Sequence, residues 1–328
     1  MSPLTPRAGI AIFLAFALTY FFSALLRAIT ATLAPVFSSE LGLQAADLGL
    51  LAGAYFAGFA ALQLPLGAAL DRHGPKRVQL SLMALAVIGC IGFALGQGLA
   101  SLVISRLLIG AGVAACLMAP LTCYRRRFSA TAQLRANSWM LMTGSFGMVA
   151  ATLPVQALLP VMGWRGLFWA LAVCLALGAA VIACVVPPDA RPLEAPERAA
   201  GRAKGAVTGY SRVFRHPAFT RSAPLAFFVY GGMIAIQALW AGPWLTRVAA
   251  WTPQEAAGGL FAINASMLVA FMGWGAAMPW MAARGWTADA LILRGLPLSL
   301  SLLAVIVLWP QPAGAAAWAL WCVSCTVV

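Results

Sequence analysis

The sequence has 328 residues, of which 62% are apolar and 9% are charged, whereas soluble domains carry roughly 25% charged residues. A soluble chain of this composition could not cover its surface, so soluble enzymes, secreted proteins and disordered chains are excluded as classes. The net charge of +13 does not indicate a nucleic-acid partner, because the basic residues lie between apolar runs and not on one solvated face.

Apolar runs of about 20 residues, enough to cross roughly 30 Å of hydrocarbon, recur along the chain. They predict six spans, at 9–37, 48–70, 78–96, 99–123, 136–161 and 166–186. Prolines and seven Lys or Arg then make 187–221 typical of a solvated linker. Four more spans are predicted at 222–246, 256–282, 290–309 and 312–328. We therefore predict an all-α membrane protein with an N-terminal bundle (1–186), a linker (187–221) and an incomplete C-terminal bundle (222–328).

Lys and Arg collect on one side of the predicted membrane. That side holds 17 of them, whereas the other side holds Arg165 and Arg247, and Arg27 and Arg106 fall inside spans. Basic residues near span ends are retained in the cytoplasm. We therefore expect a multi-pass protein of the bacterial inner membrane, with the N-terminus and the linker in the cytoplasm.

The two parts of the chain resemble each other at a constant offset of 208 residues. Asp47 falls on Glu255, and Ala34-Pro35 falls on Gly242-Pro243. Chance agreement between Ala-rich helices is the alternative. A true duplication predicts two like-oriented halves that face each other around a site at the membrane midplane, the plan of a rocking transporter.

The segment between spans 2 and 3 carries a charged signature. It reads Gly67-Ala-Ala-Leu-Asp71-Arg72-His73-Gly74-Pro75-Lys76-Arg77. Its spacing resembles the signature of the major facilitator superfamily at this loop: Gly, three residues, Asp, two residues, Gly, one residue and two basic residues. In span 4, Arg106-Leu-Leu-Ile-Gly110-Ala-Gly112 is similar to a second signature of that family. With the layout of six spans, a linker and further spans, the resemblance covers the whole chain.

The resemblance implies two six-helix bundles that work by alternating access, with about ten spans present and a sequence truncated before an eleventh helix. It also implies a cytoplasmic latch in which Asp71 is the acid and Arg125, Arg126 or Arg127 its partner. The alternative, that the loop charges only set topology, does not account for the lone Asp71. For Arg106 the family implies a conformational or proton-coupling role, and helix packing is the alternative. The residues expected to control which side is open are Gly67, Asp71, Arg72, Gly74, Lys76, Arg77 and Arg106.

Arg27 is the most informative single residue, because a charge inside a span costs at least ~2.5 kcal/mol. Tyr20, Ser23, Arg27 and Thr30 share one helical face, which we expect to line a central cavity. A guanidinium fork suits carboxylate or phosphate, so an anionic substrate group is predicted. Alternatively, Arg27 extends to the membrane interface or bonds helix carbonyls. Other candidate cavity residues, each of which could instead serve helix packing, are Tyr55, Gln63, Gln237, Trp240 and Asn264.

The acidic residues limit the mechanism, because all eight lie in loops or at span ends. The predicted spans therefore lack an obvious proton carrier, and the Gly-Pro signature of drug antiporters is present only as Gly144, Gly147 and Pro154. We expect a monomeric transporter of a small organic anion, with the lipid bilayer as its other partner. Drug efflux is the alternative, and a non-transporting sensor or assembly factor is the alternative of another class. No enzymatic activity, cofactor or metal site is expected.

Overall fold

The computed structural model describes residues 6–188, 214–236, 240–286, 288–308, 319 and 322–323. These residues form helices and short turns, and none of the residues described is in a β-strand. Five of the described helical stretches are long and apolar enough to cross a membrane. Residues 189–213 of the predicted linker and most of the predicted tenth span lie outside the described residues.

The first six predicted spans correspond to seven helices. Predicted span 4 is α4 and α5, which only Ala114 separates. Predicted spans 5 and 6 are divided at Gly163, whose φ of 64° lies in the left-handed region and turns the chain within α7. The helices are α1 (Pro6–Leu41), α2 (Ala45–His73), α3 (Pro75–Leu95), α4 (Leu99–Val113), α5 (Ala115–Arg127), α6 (Ala130–Ala150) and α7 (Leu153–Val185).

The predicted span at 222–246 is not one regular helix. It contains a π-helical segment, Phe227–Gly231, directly after a helix that includes Pro224. A proline inside a helix removes a backbone donor, and a wider turn is one way to accommodate the loss. The helices described after the linker are α8 (Pro217–Ala226), α9 (Gly232–Ala235), α10 (Ala241–Arg247), α11 (Pro253–Ala283) and α12 (Ala288–Leu308).

Glycines let α2 and α3 pack closely on α4. A Cβ atom at Gly110 would collide with the backbone of Tyr55 in α2, and one at Gly112 would collide with Ala86 in α3. Small residues allow this approach between membrane helices. Because both helices pack mainly on α4 and much less on each other, they leave a groove between them.

Six of the described cations lie at the end of the molecule where α2 turns into α3 and α5 ends, and we call this the basic end: Arg72, Lys76, Arg77, Arg125, Arg126 and Arg127. Its cations bind the carbonyl groups that close neighbouring helices. The Lys76 ammonium donates to the carbonyl of Ala183 in α7 at 2.7 Å, and Arg126 donates to the carbonyl of Leu70 in α2 at 3.1 Å. Cations are favourable at helix C-termini, so these side chains fasten the helix ends to one another.

The opposite end is held by a second set of polar contacts. Arg165 donates to the carbonyls of Ala94 and Gly96 at 3.1 and 2.7 Å, and thereby caps α3. The indole N–H of Trp164 donates to Glu40 at the end of α1, at 2.8 Å. These contacts join spans 1, 3 and 6 at the end far from the linker.

The second span of each half begins in the same way. The N–H of Gln44 donates to Asp47 at 2.8 Å, and the N–H of Thr252 donates to Glu255 at 2.8 Å. Both pairs obey the 208-residue offset, which supports a true duplication. The hydrogen bonds from the backbone and side chain of Thr252 hold the pKa of Glu255 below its usual range.

The two halves meet where α1 faces α10. A Cβ atom at Gly242 would lie 2.6 Å from the carbonyl oxygen of Ala31, so the two backbones nearly touch. Ala31 is buried in an apolar cluster with Leu245 and Leu260 of the second half. The repeat-related prolines Pro35 and Pro243 both line a cavity of about 180 Å³ nearby, toward the opposite end.

Candidate functional site

A small cavity lies between the two halves at the depth of Arg27. Its volume is about 20 Å³, so the described residues around it leave space for about one water molecule. The first half contributes α1 and the break between α6 and α7, and the second half contributes α9 and α11. The described lining residues, none of which is acidic, are Arg27, Ala28, Ala31, Thr32, Met148, Thr152, Ile234, Leu260 and Asn264.

The break between α6 and α7 brings polar groups to this depth. Thr152 has non-helical backbone angles, and Pro154 cannot donate a backbone hydrogen bond. The hydroxyl of Thr32 donates to the carbonyl of Ala151 at 2.7 Å, which joins α1 to the break. Hydroxyl groups thus satisfy backbone oxygens that the interrupted helix does not, as hydrocarbon surroundings require.

Aromatic side chains of α2 surround the guanidinium of Arg27. Its central carbon lies 5.4 Å from the centre of the Phe59 ring, and it lies beside the side chain of Tyr55. The Tyr55 hydroxyl in turn donates to the carbonyl of Ser23 at 3.4 Å. The positive charge therefore lies against the aromatic face of Phe59 at the wall of the cavity, where the ring attracts it.

The polar stripe of α1 is divided between two environments. Tyr20 and Ser23 are buried inside the first half, with the Tyr20 ring against Gly144 of α6. Thr30 is also buried and binds Arg106. The side of α1 that lines the cavity is centred near Ala28 and Ala31, roughly a quarter-turn away from the stripe. Arg27 is the member of the stripe that lines the cavity.

The remaining candidate binding residues lie in different places. Asn264 lines the cavity from α11 and donates to the carbonyl of Leu260 at 2.8 Å. Gln63 is half-buried, and its amide lies 3.5 Å from the carbonyl of Phe59 in its own helix. Trp240 is half exposed and lines the separate cavity of about 180 Å³. Gln237 lies outside the described residues.

Arg106 is completely buried and holds α4 against α1. One of its terminal nitrogens donates to the carbonyl of Leu26 at 3.0 Å, and the other donates to the hydroxyl of Thr30. The rings of Phe93 and Phe168 lie 5.0 and 5.5 Å from its guanidinium carbon. Arg106 does not line the cavity, but it fixes the backbone of the residue next to Arg27.

Asp71 lies at the basic end beside two of its three proposed partners. Its carboxylate lies 3.6 Å from Arg126 and 4.0 Å from Arg125. Arg127 instead donates to the carbonyl of Pro188, at the start of the linker, at 2.9 Å. The described partners of Asp71 thus belong to its own half.

The other residues proposed for the latch have different surroundings. Gly74 is the single residue between α2 and α3, with a φ of 83° that favours glycine. Lys76 is engaged with α7, and Arg72 and Arg77 are exposed. A Cβ atom at Gly67 would meet no described atom within 4 Å, so no described helix packs on it.

Sequence reasoning missed several residues of the site. Thr32 and Met148 are isolated within apolar runs, where nothing in their spacing distinguishes them. Phe59 is one of 17 phenylalanines, and only its neighbourhood to Arg27 gives it a role. The proline at 154 is a signal that could have revealed the break at Thr152, since a proline interrupts helix hydrogen bonding.

The chain is similar to known membrane proteins in its sequence and in its fold. The family model of the Major Facilitator Superfamily matches residues 16–328. A chloramphenicol resistance protein of Streptomyces lividans is 32% identical over 183 residues, which are 55% of this chain. The matched part spans only 43% of that relative's length.

Two solved structures share the fold across almost the whole chain. A bacterial homologue of the human lysosomal transporter Spinster, inward-facing and unoccupied, matches with a TM-score of 0.74 and 19% identity over 99% of this chain and 73% of its own. The xylose transporter XylE from E. coli, partially occluded and inward-open, matches with a TM-score of 0.74 and 15% identity over 98% of this chain and 82% of its own.

Proposed function

Because this chain belongs to the major facilitator superfamily, a family of multi-pass membrane transporters, we propose that it carries a small organic solute with an anionic group between its two halves. The same match and the solved structures confirm the all-α fold that the sequence predicts. The observation that carries the proposal is the guanidinium of Arg27 at the wall of the cavity between the halves.

An anionic group is the chemistry that this wall favours. A guanidinium presents paired donors to a carboxylate or phosphate, and the attraction is strong where water is scarce. The described lining residues include no acid that would attract a cation. Asn264, from the second half, supplies a polar group across the same cavity. A solute held by both Arg27 and Asn264 would couple binding to the approach of the two halves.

Transport requires the halves to separate and close in turn. In this structure α1 and α10 are in close contact at Ala31 and Gly242, and the cavity has room for about one water molecule. Entry of a solute therefore needs an opening motion of one half against the other, as in transporters built from repeats. We place the basic end in the cytoplasm of a bacterium and treat the protein as a monomer in the inner membrane, in line with the distribution of Lys and Arg.

Counterflow in proteoliposomes tests the anion proposal. A panel of radiolabelled organic monoanions, dianions and uncharged analogues is offered to the wild type and to Arg27→Gln, Arg27→Lys and Arg135→Gln. Loss of a charge-assisted hydrogen bond, about 1.5 kcal/mol or more, predicts at least a tenfold rise in the anion concentration for half-maximal transport in Arg27→Gln. Arg27→Lys keeps the positive charge but lacks the paired donors of the guanidinium, so its half-maximal anion concentration should lie between those of the wild type and Arg27→Gln. Arg135→Gln is the matched control. Equal transport of anions by Arg27→Gln and the wild type would refute the proposal.

A second candidate is export of an uncharged amphipathic drug. It is favoured by the similarity to the chloramphenicol resistance protein and by a cavity in which five of the nine described lining residues are Ala, Met, Ile or Leu. Expression in a sensitive host would then raise the inhibitory concentration of chloramphenicol, and Arg27→Gln would retain that protection. Anion counterflow that depends on Arg27, together with unchanged chloramphenicol sensitivity, decides against export.

A further inference from the structure

An open groove lies between α2 and α3 at the basic end, on the outer face of the first half. Its volume is about 450 Å³, more than twenty times that of the cavity at Arg27. Leu62 and Leu66 of α2 and Leu82 of α3 give it an apolar wall. His73 and Arg77 line it where α2 turns into α3.

The groove follows from how the helices pack. Leu66 of α2 and Val78 of α3, which line the groove, belong to a small apolar cluster with the buried Ala115 and Ala119 of α5. Gly74 alone joins the two helices, so the last residue of α2 and the first turn of α3 lie at the same level. No described residue fills the space between the two walls.

The groove is separate from the central cavity and from Asp71. The described helices of the second half pack mainly on α1, α6 and α7 of the first half, and no described residue of the second half lines the groove. Asp71 lies roughly half a helical turn away from Ala69 and His73, which line the groove, and therefore points to the other side of α2. The ion pair of Asp71 with Arg126 consequently does not neutralise the groove.

The charges at its mouth are arranged for an anion. Arg77 and His73 are exposed there, and none of the described residues that line the groove is acidic. The first turn of α3, a helix of 21 residues, adds the positive end of its dipole. Ser81 lies one helical turn further into the groove than Arg77 and adds a hydroxyl group to its lining. Positive charge at the end of the helices, followed by an apolar channel, matches the order of phosphate and acyl chain in a phospholipid.

We propose that this groove binds one anionic phospholipid of the leaflet at the basic end. The phosphate lies at Arg77, His73 and the first turn of α3, and an acyl chain lies against Leu62, Leu66 and Leu82. Lys76 takes no part, because its ammonium is held by the carbonyl of Ala183. The site is independent of the solute that the transporter carries.

Native mass spectrometry of the full chain, purified in detergent, tests the proposal with phosphatidylglycerol and phosphatidylcholine of equal acyl length. The wild type should retain phosphatidylglycerol in preference. Arg77→Gln should reduce that preference about fivefold, the effect of one cation beside an anionic headgroup. Arg135→Gln, an exposed arginine on α6 outside the groove, is the control and should behave as the wild type. Ser81→Trp, which fills the groove, should lower retention of both lipids.

Several outcomes would overturn the proposal. One is a wild type without preference, and another is an equal loss in Arg77→Gln and Arg135→Gln. Displacement of the bound lipid by millimolar inorganic phosphate would reassign the site to free phosphate, and a dimer that Ser81→Trp dissociates would reassign the groove to a second copy. Unchanged thermal midpoints of the lipid-free variants show that each change acts on binding and not on folding.

Discussion

Two arginines inside the first half have different partners and therefore different roles. Arg106 donates to Leu26 and Thr30 and is enclosed by Phe93 and Phe168, whereas Arg27 lines the space between the halves. The first is a positioning residue for α1 and the second is the candidate ligand for the solute. A guanidinium with both terminal nitrogens bonded in the interior stabilises a fixed geometry, because breaking the set leaves buried polar groups unsatisfied.

Replacing Arg106 should loosen α1. We expect Arg106→Gln to lower the free energy of unfolding by roughly 3 kcal/mol, since it leaves Thr30 without its donor and a void between two aromatic rings. Thr30→Val removes one hydrogen bond and should cost about 1 kcal/mol. Thermal midpoints in detergent measure both effects. A larger loss in Thr30→Val than in Arg106→Gln would show that Arg106 does not hold α1.

The sequence predicted that Arg27 lines a cavity, but it did not predict most of the residues around it. A lone cation in an apolar run is visible because its insertion is costly, and the family resemblance added the latch residues. The sequence did not show which side of α1 faces the cavity, because both the cavity side and the packed side of a membrane helix are apolar. The stripe of Tyr20, Ser23 and Thr30 therefore proved to face neighbouring helices, and Ala28 and Thr32 proved to line the cavity.

At the scale of helices, the sequence predicts spans better than their interruptions. Length and hydropathy place α1, α2 and α3 to within a few residues, with Gly74 and Pro75 at the turn. The irregular segment Phe227–Gly231 escaped prediction, since a uniformly apolar run has no periodicity that would reveal a wider turn. The division of span 4 at Ala114 escaped for the same reason.

The start of α11 should respond to pH through Glu255. Because its folded pKa lies below the usual value of about 4.3, the ionised carboxylate stabilises the fold above that value and the stabilisation is lost as pH falls through the lowered pKa. We expect the thermal midpoint of the wild type to exceed that of Glu255→Gln at pH 6 and the difference to shrink toward pH 3. Thr252→Val removes one donor to the carboxylate. In a Thr252→Val background, the loss of thermal midpoint caused by Glu255→Gln at pH 6 should therefore be smaller. A difference that stays constant from pH 6 to pH 3 would contradict this role.

At the scale of the whole molecule, the contact of Gly242 with Ala31 joins the two halves beside the cavity that lies toward the opposite end. A larger side chain at Gly242 would meet the backbone of α1, which cannot yield without moving one half. Gly242→Leu should therefore favour separation of the halves at that end. In a cysteine-free background, Ser38→Cys, which lines the cavity there, should react several-fold faster with a membrane-impermeant maleimide.

A matched glycine on α11 provides the control for this experiment. A Cβ atom at Gly258 meets no described atom within 4 Å, so Gly258→Leu should leave the labelling rate of Ser38→Cys unchanged. Labelling that is equally slow in Gly242→Leu and in the parent would show that this contact does not keep the end shut.

The small volume of the cavity at Arg27 also bears on whether water and ions can leak through the protein between transport cycles. Among the described residues, a cavity with room for about one water molecule provides no continuous water path across the membrane at that level. Under the proposed function, a carrier in this arrangement would spare the ion gradients of the cell, and its flux would be set by the frequency of the conformational cycle.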